Sequence, residues 1–232
     1  MASETLYDLK AISKKFTRGK ETITIFESLD LQIKKGDFVA IMGPSGSGKT
    51  TLLNMLGGVD QPSGGEILFD GKRVDNLGEG DLARWRANNI GFIFQFYNLM
   101  PMLNAARNVE LPLLLTKLNK KQRNQFVETA LTLVGLADRA KHMPGEMSGG
   151  QQQRVAIARA IVSDPKLILC DEPTGDLDRT TADEILEMLQ ILNRDHGKTI
   201  VMVTHDPRAA KYAGRTLHLD KGAFVEREAE IV

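Results

Sequence analysis

The stretch Phe38-Val39-Ala40-Ile41-Met42-Gly43-Pro44-Ser45-Gly46-Ser47-Gly48-Lys49-Thr50 decides how the rest of the chain is read. Five consecutive apolar residues with no polar interruption predict a strand covered on both faces. Directly after them, Gly43 to Thr50 match the full G-x-x-x-x-G-K-[ST] pattern. Thr51-Leu52-Leu53-Asn54-Met55-Leu56 then predicts a helix, stopped by Gly57-Gly58. Strand, glycine loop and helix in that order make a phosphate cradle. The glycines let backbone N–H groups curl around phosphate oxygens with no side chain in the way. The helix that starts near Lys49 points its positive end at the same anion. Lys49 is expected to reach the outer phosphates, and the Thr50 hydroxyl to ligate Mg²⁺. The candidate triphosphate site is thus Gly43, Pro44, Ser45, Gly46, Ser47, Gly48, Lys49 and Thr50, with Thr51 following. Such a loop does not say what is done with the triphosphate, because GTPases, kinases, helicases and transport ATPases all use it.

Outward from that loop, the first 40 residues read as strands. Leu29, Leu31 and Ile33 alternate with polar residues, and Ile23 and Ile25 do so more briefly. Asp70-Gly71, between Ile67-Leu68-Phe69 and Val74, is a hairpin signal. From about Asn104 to Ala140 the pattern turns helical. Asn119 with Gln122 resembles a capping box, and Phe126, Val127, Ala130, Leu133 and Val134 are expected to line one core-facing helical stripe. In the last third, Leu167-Ile168-Leu169-Cys170, Thr199-Ile200-Val201-Met202-Val203 and Thr216 to Leu219 read as strands. Ile185, Met188, Leu189 and Leu192 mark a helix between the first two. Strands alternating with helices predict an α/β fold with a parallel sheet covered on both faces.

Composition bounds the function. The chain has 232 residues with 30 Lys+Arg against 30 Asp+Glu, a formal net charge of zero. That length fits one large domain or one domain carrying an inserted subdomain. Neutrality argues against a nucleic-acid duplex as partner, since phosphate binding along a duplex usually needs a basic domain. A single cysteine, Cys170, excludes a disulfide framework. His142, His196, His205 and His218 are scattered without zinc spacing. No apolar run approaches the roughly 18–20 residues that cross a bilayer. Met1-Ala2-Ser3-Glu4-Thr5 lacks the plan of a signal peptide. The expectation is a cytoplasmic protein that reaches a membrane only through another chain.

A second acidic site lies at Asp171-Glu172, at the tip of an apolar strand where ligands bind in open α/β sheets. Asp171 fits a Mg²⁺-organising role, and Glu172 a base or water-positioner for attack on a γ-phosphate. A helix cap or a surface pair is the plainer alternative. Cys170, just before them, reads as a small buried hydrophobe.

Met147-Ser148-Gly149-Gly150-Gln151 then resembles the L-S-G-G-Q signature of ATP-binding-cassette (ABC) ATPases, and further motifs follow that family's order. Gln95 ends Ile90-Gly91-Phe92-Ile93-Phe94 where the family has its Q-loop glutamine. Gly175-Asp176-Leu177-Asp178 resembles the D-loop, His205 the switch histidine, and Phe16 stands where an aromatic ring stacks on adenine. The resemblance covers nearly the whole chain and implies one ABC ATPase domain over residues 1–232. A β subdomain and RecA-like core would occupy 1–95 and 165–232, and a helical signature subdomain 96–164. No room is then expected for a C-terminal regulatory domain. The cofactors implied are ATP and Mg²⁺, the metal held by Thr50, Gln95 and Asp171. Glu172, His205 and Gln95 would be catalytic. Ser148, Gly149, Gly150 and Gln151 would act on the ATP of an opposite subunit, and Asp178 would sit at the dimer seam. Two copies would pair head to tail, with ATP held between them.

Three departures stand out. Met147 replaces Leu, and Phe16 lacks the hydroxyl of the usual Tyr. Asp176 stands where many members have a small residue, and its carboxylate could either repel or hydrogen-bond across the seam. The run 171–178 and Gln95-Phe96-Tyr97-Asn98-Leu99-Met100-Pro101 are most similar to the lipoprotein-releasing, macrolide-export and cell-division subgroup. That resemblance implies an integral membrane permease as partner and a place on the inner face of the cell membrane. The apolar stretch 96–103 is either core or a docking patch for a helix of that partner. The competing readings are a soluble ABC ATPase acting on nucleic acid or ribosomes, and a plain P-loop kinase.

Overall fold

The computed structural model describes residues 4–19 and 21–225; residues 1–3 of the N-terminal stretch fall outside them. β1 (Thr5–Arg18) and β2 (Glu21–Lys34) form a long antiparallel hairpin. β3 (Phe38–Met42) leads through the glycine loop into α1 (Lys49–Leu56). β4 (Gly64–Phe69) and β5 (Lys72–Arg73) pair around Asp70-Gly71, both of which have positive φ. α2 (Glu79–Asn89) and β6 (Ile90–Phe94) follow. Three helices come next: α3 (Ala105–Glu110), α4 (Lys120–Leu133) and α5 (Gly149–Ile161). The chain then alternates through β7 (Leu167–Asp171), α6 (Arg179–Arg194), β8 (Thr199–Val203), α7 (Pro207–Ala210), β9 (Arg215–Asp220) and β10 (Ala223–Val225).

These strands build two sheets. One is antiparallel, in the order β2-β1-β4-β5. The other runs β10-β9-β3-β8-β7-β6, with β9, β3, β8, β7 and β6 mutually parallel. Ile41 is level with Val203, and Val203 with Asp171. The loops leaving β3, β7 and β8 therefore open at one edge of the sheet, the usual ligand-binding edge of an open α/β sheet.

Side chains on each parallel strand alternate between two cores, as the pleat requires. Ala40, Ile168, Cys170, Ile200 and Met202 face the core shared with α3 to α6. Val39, Ile41, Leu169, Val201 and Val203 face α1 and the antiparallel sheet, where Tyr7, Phe26 and Ile33 are sealed from solvent. Burial on both faces explains why these strands read as unbroken apolar runs.

Two expectations need correction. The stripe on α4 is narrower than expected. Val127, Ala130, Leu131 and Val134 are buried, but Phe126 (46% exposed) and Leu133 (52%) are not. Seven residues apart, they share one edge of the helix and border a groove with Ile161 and Leu192, while the inner face packs on α3 and α5. Ile23 is likewise exposed. Pairing of β1 with β4 stops at Ser13, so the tip of the β1–β2 hairpin runs on past its neighbour in the sheet. The Asn119–Gln122 capping box is formed in both directions. α2 carries no apolar period, since Leu82 alone is buried on it, and periodicity could not have found it.

Candidate active site

A cleft of about 610 Å³ opens at the strand tips, lined by the phosphate loop, Thr51, Ile25, Glu172 and His205. The loop has its shape because Gly48 sits at φ 101° directly before α1. A Cβ there would lie 2.9 Å from Ile25 Cγ2 and from the Phe26 ring, in a backbone region that side chains avoid. The buried Lys49 ammonium donates to Gly43 O and Pro44 O, each at 2.8 Å. Its charge is thus held inside the loop, which aims the cradle at an anion. Ser47 is the one loop residue that does not border the cleft, and its buried hydroxyl has no hydrogen-bond partner.

Glu172 leaves β7 at φ 46°, a left-handed conformation that costs a non-glycine residue ~1–2 kcal/mol. Its N–H donates to Val203 O at 2.9 Å, tying the turn to β8. The strained turn presents the carboxylate to the cleft, where Oε2 lies 2.7 Å from His205 Nδ1. The arrangement suits the Glu172 carboxylate accepting from the imidazole N–H, which holds it in place. Asp171 titrates above the usual carboxylate range. Burial is the main cause and the Glu172 charge adds to it, while Lys49 offsets part of the effect. Cys170 is fully buried and its thiol is pushed far up by desolvation, so it remains a protonated hydrophobe.

The remaining candidates stand around this cleft without lining it. Gln95 follows β6 and donates from Nε2 to Asp176 Oδ1 at 3.4 Å. Asp178 is the N-cap of α6, accepting from Thr181 N at 3.1 Å and from the Thr181 hydroxyl at 2.6 Å. Ser148 is the N-cap of α5. Its Oγ accepts from Gln151 N while Gln151 Oε1 accepts from Ser148 N, so Ser-Gly-Gly-Gln is itself a capping box. Phe16, 45% exposed on the hairpin tip, has the Lys14 ammonium 4.6 Å from its ring centroid. Lys14 is in turn fixed by Asp60 at 2.6 Å and Gln61 O at 2.7 Å.

Several residues that hold these parts together were not singled out from the sequence. Gln153 of α5 is fully buried, and its Nε2 donates to Pro173 O at 2.5 Å and Phe94 O at 3.3 Å. Those carbonyls flank Glu172 and Gln95, so one side chain pins both strand exits. Arg159 of α5 donates to Tyr97 O and Asn98 O at 2.8 and 2.5 Å. Asn108 of α3 fixes Met100 and Leu103 through three hydrogen bonds and donates a fourth to Asn104 O. For Gln153 a signal existed: it falls in line with the buried Ile157 and Ala160 at helical spacing.

Among the described residues no three His, Cys, Asp or Glu side chains converge on a metal site. Mg²⁺ needs only one or two protein oxygens beside water and phosphate, and Thr50, Gln95 and Asp171 supply hard oxygen donors. Asp171 titrates high chiefly because it is buried, with the Glu172 carboxylate adding to the effect, and a cation beside it would favour its ionised form.

Comparison with known proteins agrees with this geometry. The sequence pattern of the ABC transporter family matches residues 26–175. The ABC transporter ATP-binding protein YknY of Bacillus subtilis is 48% identical over 220 residues, covering 95% of each chain. The lipoprotein-releasing system ATP-binding protein LolD of Acinetobacter baylyi is 44% identical over 225 residues, 97% of this chain and 99% of that one. The macrolide export ATP-binding/permease protein MacB of Marinobacter nauticus is 45% identical over 226 residues, but this chain spans only 35% of it. Among solved structures, the dimeric post-hydrolysis state of the cassette MJ0796 bound to ADP and Pi superposes with a TM-score of 0.88. It shows 41% identity and covers 96% of this chain and 98% of that one. The protein is a member of the ABC transporter family, an ATP-binding cassette ATPase of the type found in LolD, MacB and MJ0796.

Proposed function

We propose that this ATPase is the nucleotide-binding subunit of a membrane complex of the lipoprotein-releasing or macrolide-export type, turning ATP-driven closure of a head-to-tail homodimer into movement of an integral membrane permease. One observation carries the reading. The cleft combines the phosphate loop with the Glu172–His205 pair, yet no α5 residue borders it. The signature at the start of α5 is left to serve the ATP of a second copy. The dimeric structures of MJ0796 support that arrangement. The cassette would then comprise a β subdomain and core in 1–95 and 165–232 and a helical subdomain in 96–164.

In this reading the loop amides and Lys49 hold the phosphates, and Phe16 stacks on adenine. Mg²⁺, held by Thr50, Gln95 and Asp171, would neutralise charge on the phosphate oxygens. Glu172 accepts the proton of the attacking water, and His205 fixes the carboxylate and donates toward the γ-phosphate. Hydrolysis removes the bridging γ-phosphate, and the dimer opens. Glu172→Gln is expected to bind ATP, lose turnover and accumulate as a dimer by size-exclusion chromatography with light scattering. Normal hydrolysis by that variant would show that Glu172 is not the base.

The membrane side is supported by the segment after Gln95. Phe96 (71% exposed) and Met102 (73%) project from a loop that Asn108 holds rigid, and Leu114 and Leu115 are exposed nearby. No helix among the described residues is long and apolar enough to cross a membrane. The exposed side chains support reading the loop as a docking patch for a cytoplasmic helix of the permease, and the protein would then lie on the inner face of the cell membrane. Leu99 packs against the core instead. Charge substitutions at Phe96 or Met102 should abolish co-purification with the permease; intact assembly would remove the loop from the interface.

A further inference from the structure

Asp176 has a partner within its own subunit. Its Oδ1 receives Gln95 Nε2 at 3.4 Å. The Gln95 side chain lies directly on the backbone of the loop that carries Asp176, since a Cβ on Gly175 would come within 2.8 Å of Nε2 and 3.1 Å of Cδ. Asp176 also faces Tyr97, whose phenol is pushed up first by burial and then by the Asp176 carboxylate. Gly149 of the signature lies against the same phenol, for a Cβ there would meet the Tyr97 hydroxyl at 2.7 Å. Asp176 thus stands where the Gln95 loop, the signature and the strand exit of Glu172 meet.

Chemistry assigns the direction of the Gln95 amide. A primary amide has a donor end and an acceptor end of nearly equal size, and its rotation by half a turn exchanges them. An ionised carboxylate only accepts. With Asp176 present, the end facing it must be the NH₂, and Oε1 is the end presented on the other side. A glutamine that offers oxygen to a cation needs this, because the opposite orientation would present two N–H donors to the metal. Carboxylates that orient metal ligands from behind commonly matter about 10- to 100-fold in metal affinity or activity.

We propose that Asp176 is a positioning residue that claims the amide NH₂ of Gln95 and so fixes Gln95 Oε1 as the atom offered to the magnesium of bound MgATP. This rests on the reading of Gln95 as a magnesium ligand and goes beyond it by giving the departure at position 176 a task inside one subunit.

The test measures binding rather than turnover. In the full chain carrying Glu172→Gln, the affinity for an N-methylanthraniloyl-labelled ATP is measured by fluorescence in excess Mg²⁺ and in EDTA. The ratio of the two affinities reports how well the site uses the metal. Asp176→Ala should lower that ratio about tenfold while leaving the EDTA affinity and the thermal midpoint unchanged. Asp176→Asn, which keeps an acceptor oxygen, should lower it less. Gln95→Ala should lower it as well, and adding Asp176→Ala to Gln95→Ala should change nothing more. If Gln95→Ala lowers the ratio and Asp176→Ala does not, the positioning role is overturned and the ligand role of Gln95 stands. An additive loss in the double variant overturns it too, since Asp176 would then act without Gln95. An unchanged ratio in Gln95→Ala overturns the ligand role and the inference together.

Discussion

Gln153→Leu should be mild for stability and severe for turnover, an unusual combination at a fully buried polar position. The wild-type amide stabilises through Nε2, which donates to Pro173 O and, at longer range, to Phe94 O. The same amide carries a defect, because its buried Oε1 has no partner. Leucine, of similar volume, removes both. Pro173 O loses its donor, at a cost of ~1–3 kcal/mol for an orphaned carbonyl. Phe94 O keeps Tyr97 N at 3.3 Å. Removal of the orphaned Oε1 returns a gain of the same order, ~1–3 kcal/mol. The two terms offset to within about 1 kcal/mol, so Tm should change by no more than roughly 2–4 °C for a domain of this size. The turns carrying Gln95 and Glu172 would meanwhile lose their common anchor. An ångström of misplacement in such groups costs on the order of 100-fold in rate, so kcat should fall 10- to 100-fold with KM for ATP little changed. Differential scanning fluorimetry and steady-state ATPase assays read the two effects separately. Near-wild-type kcat would refute the anchoring role. A Tm loss above about 10 °C would refute the offset assigned to Oε1.

Other outcomes follow from the same geometry. Asp171 has a folded pKa raised by burial and by Glu172, so its ionised form opposes folding. The stability linked to it is complete below the unfolded carboxylate pKa and is lost as pH rises through the folded one. Asp171→Asn should therefore raise the nucleotide-free Tm at pH 7–8 by about 2–4 °C, converge with wild type below about pH 4, and abolish ATPase activity. A lower Tm at neutral pH would contradict the desolvation argument. Lys14→Met should remove the cation from the Phe16 ring and weaken ATP binding about two- to fivefold, the worth of a modest cation–π contact. Calorimetry with tripolyphosphate should show no change. Equal weakening of both ligands would mean that Lys14 does not act through the base.

Local patterns identified most of the machinery. The phosphate loop, the carboxylates at 171 and 172 and the signature each occupy a short run whose spacing alone demands backbone N–H groups, a strand tip or a helix start. The capping box at Asn119 and the turn at Asp70-Gly71 were legible for the same reason: both partners lie within four residues. The stripe on α4 was misjudged because periodicity gives the direction of an apolar face but not its width. Width depends on how far α3 and α5 wrap the helix, and that leaves Phe126 and Leu133 outside.

By itself, then, the sequence determined the family and marked out candidates for the ATP site and the reacting groups, because motif chemistry is written in neighbouring residues. Tertiary structure alone decided which of those groups share a cleft. It set Glu172 against His205 by placing β7 beside β8, and it kept the signature away from the same cleft. It also gave Asp176 a partner inside its own subunit, which neither reading of the seam anticipated, by bringing Gln95 within reach of its carboxylate from 81 positions away. Contacts at that separation depend on strand order and helix packing, which no local pattern encodes.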